Sequence, residues 1–295
     1  MNYEEFLECM KANFEERGYI ASIQQATKTQ GRSYLGLYVR EEGQTVGITA
    51  DLREQYRALT RGELKLEEIF SRFYAETQER LEDVPHVTAE MVRIDPEKRI
   101  AYQLISMELS ADMLPSVPYR QLYETDLAVI ARVVVDEIPG GSVVVTHRML
   151  DSQTVSEDDL FGWMMERTAR EHPMHVTPMS DLFGGAADGC LPLYIATGAE
   201  DNLYGSGCAA YDGVLDKIYA GFQGPYYILP SSIHELLILP ANTAISEDEL
   251  LSIVRSVNDT QVEADEILSY GVYLYDKDTG LVDVRKRKRA AGTAL

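Results

Sequence analysis

Basic residues are scarce in this sequence, which has 27 lysines and arginines against 48 aspartates and glutamates. The formal net charge of -21 repels nucleic acid phosphates and anionic lipid head groups, so we expect neither a nucleic acid nor a membrane as partner. The exception to this acidity is the basic run Arg285-Lys-Arg-Lys-Arg289. A block of like charges stays solvated instead of packing into a core. It predicts a basic, disordered tail over residues 285–295.

Cysteines and long apolar runs are also few. Cys9, Cys190 and Cys208 are far apart and form no Cys-x-x-Cys pair, which argues against a disulfide framework and against a zinc or redox motif. No apolar run reaches the roughly 20 residues that cross a bilayer. We therefore expect a protein of the reducing cytoplasm.

The residues that are present predict a folded chain, since 45% are hydrophobic and 25% are charged. Apolar residues recur at helical spacing over residues 2–17 and again over residues 64–81. Between these two helices, an alternating segment predicts a hairpin that turns at Glu42-Gly43. We expect these elements to form an N-terminal α/β unit over residues 1–84.

The remainder of the chain is rich in hairpin patterns. The segments DLAVIARVVVDEIPGGSVVVTHRML and GVYLYDKDTGLVDV each contain two β-branched or aromatic runs joined by a turn. Ser156 and Ser246 precede acidic residues and begin helices. The pattern predicts a main α+β domain over residues 85–284, with a mixed, largely antiparallel sheet and flanking helices.

The stretch PYYILPSSIHELLILP, residues 225–240, places serines, a histidine and a glutamate between two apolar runs. A Ser-His-acid relay needs an acid on the far side of the imidazole, which three residues in one short segment do not readily supply. We interpret the segment as a chain reversal whose hydroxyls bond to the backbone. Two strands would achieve this, and so would a helical turn that begins with Ser232-x-x-Glu235.

Three further patterns are weaker. Gly205-Ser-Gly-Cys-Ala-Ala210 fits a dinucleotide-binding loop but lacks the acidic residue that would hold a ribose, so we interpret it as a flexible loop that starts a helix. His172 and His175 have a metal-ligand spacing, but Pro173 prevents a regular helical turn between them. Aspartates in or beside the glycine-rich loops, at positions 181, 188, 201, 212 and 216, could hold magnesium. In a chain with 48 acidic residues, chance grouping and the preference of aspartate for turns explain them better. We predict no metal and no cofactor.

Several segments together resemble an uncharacterised protein family of Gram-positive intestinal anaerobes whose members carry a domain of unknown function. The segments are DLAVIARVVV, SEDDLFGWMMERTA, AAYDGVLDKI, YYILPSSIHELLILP and VRSVNDTQVEADEILS. The resemblance covers nearly the whole chain and implies a cytoplasmic bacterial protein. It implies no reaction, cofactor or catalytic residue.

The leading hypothesis is a non-enzymatic module that binds a protein or peptide, because the chain is acidic and rich in tyrosine and has no complete catalytic constellation. The residues proposed for contact are Tyr211, Tyr226, Tyr227, Ser231, Ser232, His234 and Glu235. One alternative is a hydrolase or phosphotransfer enzyme that uses His234 with an acid such as Asp212 or Glu200. Another is an acidic anti-defence protein that mimics nucleic acid.

Overall fold

The structure is a computed structural model. It describes residues 1–27, 33–44, 46–82, 88, 90–95, 100–135, 138, 141–165, 169–171, 173–182, 191–198, 204–230, 232–263 and 266–287. The chain divides into two compact units, of which the first ends at Val92 and the second begins at Arg93. Both combine helices with antiparallel strand pairs, which confirms the α+β prediction. None of the helices described is long and apolar enough to cross a bilayer.

The first unit begins with the predicted amphipathic helix. The Asn2 side chain accepts a hydrogen bond from the Glu5 backbone, and the Glu5 carboxylate accepts one from the Asn2 backbone, so a capping box starts the helix. Gly18, with a φ of +86°, follows its end. The elements of this unit are α1 (Tyr3–Glu15), β1 (Ile20–Thr27), β2 (Ser33–Arg40), β3 (Ile48–Ala50), α2 (Arg53–Thr60) and α3 (Leu66–Glu82).

The sheet of the first unit has the order β1-β2-β3 with both pairs antiparallel. The predicted hairpin is the β2–β3 pair, and the predicted helices are α1 and α3. Strand β1 and helix α2 were not predicted. The core contains the apolar face of α1 and residues of the sheet and of α3, namely Phe6, Leu7, Met10, Phe14, Leu37, Val39, Ile69, Phe70 and Phe73.

The second unit contains a four-stranded sheet centred on β6. Strand β4 pairs along one edge of β6, and β5 and β7 pair along the other. Every residue of β4 is buried. The elements of this part are β4 (Ile100–Ser106), β5 (Tyr119–Gln121), β6 (Leu127–Val134), β7 (Ser142–Val144), α4 (His147–Gln153), α5 (Glu157–Trp163) and α6 (Ala169–Glu171).

A six-stranded antiparallel sheet in the order β13-β12-β10-β11-β9-β8 completes the second unit. The hairpin β12–β13 adds to the outer edge of the hairpin β10–β11, so strands far apart in sequence become neighbours. One apolar core includes side chains of both sheets. The elements are β8 (His175–Pro178), α7 (Met179–Leu182), β9 (Tyr194–Thr197), α8 (Val214–Phe222), β10 (Tyr226–Leu229), β11 (Leu236–Pro240), α9 (Glu247–Gln261), β12 (Tyr273–Asp276) and β13 (Gly280–Asp283).

The glycine-rich segment Gly205–Ala210 is a short 3₁₀ helix packed into this core. A Cβ atom at Gly207 would lie 2.0 Å from the carbonyl oxygen of Tyr102, and one at Gly205 would lie 1.9 Å from the hydroxyl of Thr197. These glycines therefore allow close packing against the neighbouring strands. The prediction of a flexible loop here is wrong, because the segment is buried.

Candidate functional site

The predicted reversal at residues 230–235 joins the antiparallel strands β10 and β11. The hydroxyl of the buried Ser232 accepts a hydrogen bond at 3.0 Å from the backbone N–H of His234. The segment is not helical, so the Ser232-x-x-Glu235 capping box does not form. Ser231 lies outside the described residues. The Ser232 hydroxyl thus serves the backbone, as interpreted from the sequence.

The imidazole of His234 is half-buried, with 29% of the side chain exposed, and lies beside a carboxylate. Its Nε2 atom is 3.6 Å from Oε1 of Glu266, and its ring stacks on that of Tyr204 with a centroid distance of 6.2 Å. Burial raises the pKa of the neighbouring Glu235; a charge on His234 opposes this increase, and the charge of Glu266 adds to it. The turn therefore combines a histidine and two acids, while its described serine is bonded to the backbone.

Tyr204 connects this turn to the four-stranded sheet. Its backbone has a φ of +55°, in the left-handed region. The guanidinium of Arg132 lies 4.7 Å from the centre of its ring, and its hydroxyl lies 3.3 Å from Oγ of Ser142. Arg132 donates to Oγ of Ser142 at 2.9 Å, to the carbonyl oxygen of Ser142 at 3.3 Å and to Oε1 of Gln103 at 3.0 Å. We call Gln103, Arg132, Ser142 and Tyr204 the arginine array.

The three tyrosines proposed for contact lie in different environments. Tyr226 is fully buried and donates to the carbonyl oxygen of Leu215 at 3.0 Å, and burial raises its pKa. Tyr227 follows it on the strand and therefore points to the opposite face, where it donates to Glu247 at 3.2 Å. Tyr211 is buried with its ring edge-on to Tyr102. The structure does not bring these tyrosines into one groove.

A cleft of about 290 Å³, which we call the tyrosine cleft, lies elsewhere on the second unit. Tyr123 is 51% exposed and occupies the turn between β5 and β6 with a φ of +52°. Gly280 allows its close approach, since a Cβ there would lie 2.7 Å from the Tyr123 ring. The lining residues are Arg120, Gln121, Leu122, Tyr123, Val129, Ala209, Ala210, Tyr211, Asp212, Gly213, Leu215, Asp216 and Tyr275.

Carboxylates give this cleft its electrostatic character. Asp216 accepts a hydrogen bond at 2.7 Å from the hydroxyl of Tyr275, whose pKa is raised by burial and by this contact. Asp212 is exposed and has no hydrogen bond or ion pair to the described residues. Arg120, at another part of the lining, already pairs with Asp158 at 2.5 Å. Two acids therefore remain available to a basic group.

A second cavity, of about 510 Å³, contains a charged network around Arg285. Arg285 pairs with Asp283 at 2.9 Å and with Asp126 at 3.1 Å, and Asp126 also accepts from Tyr273 at 2.5 Å and from Ser106 at 3.1 Å. The charged groups at the centre of this cavity, Arg285, Asp283 and Asp126, are thus paired with one another. The lining residues are Ser106, Glu108, Leu109, Asp126, Arg255, Ser269, Tyr270, Asp283, Arg285 and Lys286.

The beginning of the basic run lies against the second unit. Lys286 donates to the carbonyl oxygen of Glu124 at 2.8 Å, and Arg287 pairs with Glu247. Residues 288–295, which include Lys288 and Arg289, lie outside the described residues.

The described residues contain no group of three or more histidines, cysteines and acids that could hold a metal ion. Of the residues considered for such a site, His172, Asp188 and Asp201 lie outside the described part of the chain, and so does Glu200, which was named as an acid partner for His234. Asp212 and Asp216 both line the tyrosine cleft. Cys208 is buried, and burial raises the pKa of its thiol to about 12, which keeps it protonated at neutral pH.

Sequence reasoning missed Tyr123, Arg132, Ser142 and Tyr204. A bulky residue in a tight hairpin turn, as at Tyr123, is a weak sequence signal, because only the backbone angle reveals that the position favours glycine or asparagine. Arg132 lies in an otherwise apolar strand, and this single charge among β-branched residues was a signal that could have been used.

Comparison with known proteins adds a family and no activity. A model described as a family of unknown function (DUF5688) matches residues 3–277, a range that extends over both units. This confirms the resemblance to a domain of unknown function. No significant match was found to a curated protein or to a solved structure.

Proposed function

The chain belongs to the DUF5688 family, whose function is unknown, and we propose from its tyrosine cleft that it is a binding module for a basic segment of a partner polypeptide. The single observation that carries this proposal is the exposed ring of Tyr123, held in a left-handed turn beside Asp212 and Asp216. A bulky side chain at positive φ costs of order 1–3 kcal/mol, and such positions cluster at binding sites.

Two properties select a basic ligand. The face of a tyrosine ring attracts a lysine or arginine side chain, with a contribution of about 0.5–2 kcal/mol. The carboxylates of Asp212 and Asp216 supply the ion pair, and the net charge of -21 steers a cationic segment towards the protein. Of the tyrosines proposed from the sequence, Tyr211 is the one that lines this cleft.

The test uses two peptides of equal length, one with two arginines and one with two glutamates in place of them, titrated into the full chain by calorimetry. We expect binding of the arginine peptide alone. The variant Tyr123→Asn removes the ring but keeps a residue that tolerates left-handed backbone, so it should fold. It leaves the net charge unchanged, so a loss of about tenfold in affinity would separate ring recognition from general attraction.

Two variants of equal charge provide the matched control. Asp212→Asn with Asp216→Asn removes two acids from the cleft, and Glu4→Gln with Glu16→Gln removes two exposed acids from the first unit. We expect the first pair to weaken peptide binding and the second to have little effect. Equal losses in both double variants, or full affinity in Tyr123→Asn, would contradict the proposal.

A further inference from the structure

Arg132 is a largely buried cation with no acidic partner in the part of the chain that the structure describes. Its hydrogen bonds go to neutral acceptors, the hydroxyl and carbonyl oxygens of Ser142 and the amide oxygen of Gln103. Burial lowers the pKa of Arg132, and the interaction with Tyr204 raises it in part. An uncompensated charge away from water is costly, and buried charges are normally paired. In a chain with 48 acidic residues, this absence calls for a physical reason.

Within the described ranges, the arginine array retains donors that make no hydrogen bond. Each terminal nitrogen of a guanidinium carries two N–H groups, and each of those of Arg132 donates one hydrogen bond, so each keeps one N–H. The amide nitrogen of Gln103 is buried and has no hydrogen-bond partner among the residues that the structure describes, and this side chain is 0% exposed. It shares a carbon atom with the amide oxygen that contacts Arg132, so it lies at the same end of the side chain.

Tyr204 holds the guanidinium in place from one side. Its ring covers Arg132, its hydroxyl contacts Ser142, and its left-handed backbone is followed by the closely packed Gly205. Arg132, Ser142 and Tyr204 are all only partly buried, so the array is open to solvent. A ligand can therefore approach Arg132 from solvent, whereas the amide nitrogen of Gln103 lies beneath it in the core.

We propose that the arginine array is a binding site for a small oxyanion, a carboxylate or a phosphate. Two oxygens of such a group accept the remaining N–H groups of the Arg132 terminal nitrogens, the fork geometry that guanidinium offers to these anions. The site is separate from the tyrosine cleft, which takes a cation, and shares no lining residue with it.

The first experiment measures the melting temperature of the full chain against added sodium phosphate, sodium acetate and sodium chloride at equal ionic strength. We expect phosphate or acetate to raise it in a saturable manner beyond the effect of chloride. If only phosphate raises the melting temperature, the site binds phosphate groups. If acetate also raises it, the site binds carboxylates as well. Arg132→Gln should weaken the apparent affinity about tenfold or more, because charge-assisted hydrogen bonds are lost. Equal effects of all three salts would overturn the proposal.

The variant Gln103→Glu tests the site without removing the arginine. Its carboxylate has nearly the same shape and places an anion beside Arg132, so we expect a higher melting temperature and no further rise with phosphate or acetate. A lower melting temperature, or a response like that of the unmodified chain, would refute the site even if Arg132→Gln does not fold. Arg53→Gln is the control, because Arg53 also lies over a tyrosine ring but is paired with Asp51, and it should leave the anion response intact.

Discussion

Removal of the Tyr273 hydroxyl is predicted to destabilise the second unit more than removal of the Tyr275 hydroxyl. Both rings lie on β12 and are buried, and both hydroxyls donate to an aspartate. The Tyr273 hydroxyl also lies 2.8 Å from Oγ of the buried Ser269. The two acceptors differ in environment, because the Asp126 side chain is only 12% exposed whereas Asp216 is exposed. The two Tyr→Phe substitutions therefore compare a hydroxyl in a buried network of Asp126 and Ser269 with a hydroxyl at a solvated carboxylate, at nearly constant apolar burial.

The expected magnitudes follow from the acceptors. A hydrogen bond to a charged group contributes about 1.5–3 kcal/mol, and a buried acceptor left without it cannot turn to water. Asp126 keeps Ser106 and Arg285 as partners, so we expect a loss of about 2 kcal/mol for Tyr273→Phe. Water can replace the Tyr275 hydroxyl at Asp216, so the loss there should stay below about 1 kcal/mol.

The assay is urea unfolding followed by tryptophan fluorescence. Trp163, the only tryptophan of the chain, lies in α5 and therefore reports on the second unit. The urea midpoints of the variants, converted with a common m-value, give the loss in free energy of unfolding for each substitution. Equal losses, or a larger loss for Tyr275→Phe, would refute the claim that the buried carboxylate decides the cost. Tyr226→Phe is an internal reference, since its hydroxyl donates to a buried neutral carbonyl and should cost about 1 kcal/mol.

Two further predictions concern close packing and pH. Gly207→Ala should destabilise the second unit by about 3 kcal/mol or more, because its methyl group would lie 2.0 Å from a backbone oxygen. Gly221→Ala on α8 is the control, since its methyl group would meet nothing within 4 Å. It should stabilise the unit by about 0.5–1 kcal/mol in the same urea assay. Burial raises the pKa of Glu235, so the folded chain binds this proton more tightly than the unfolded chain and loses stability as the pH rises. Glu235→Gln should therefore be more stable than the unmodified chain at pH 7, with the difference vanishing below about pH 4; a constant difference would contradict this assignment.

Local patterns predicted most elements because their residues follow one period over a long segment. Helix α9 has a capping box at Ser246 and buries Leu250 and Val254 on one face, and both signals are visible in the sequence. Helix α2 escaped prediction because it buries no residue fully and has no side-chain cap. Strand β1 escaped because polar residues at its centre interrupt the apolar alternation, and it is defined by pairing with β2.

The sites were harder to predict because they depend on neighbours that the chain order does not reveal. Strand β12 joins the edge of β10, and this pairing places Tyr275 opposite Tyr226. Tyr123 meets Gly280, and Arg132 meets Tyr204, through comparable long-range packing. Period-two alternation alone separates Tyr226 from Tyr227, so a single groove containing both was inconsistent with the predicted strand.

The two strained tyrosines differ in what offsets their strain. Tyr204 gains the stack on Arg132 and the hydroxyl contact with Ser142, so the packing of the array gives a structural reason for its left-handed backbone. Tyr123 occupies a hairpin turn in which asparagine or glycine would be relaxed, and half of its side chain remains in solvent. Its ring lies edge-on to that of Tyr275 and packs against Gly280, and these contacts still leave 51% of the residue exposed. We propose that the peptide covers this exposed ring, because apolar burial gained on binding would offset part of the cost of the left-handed backbone.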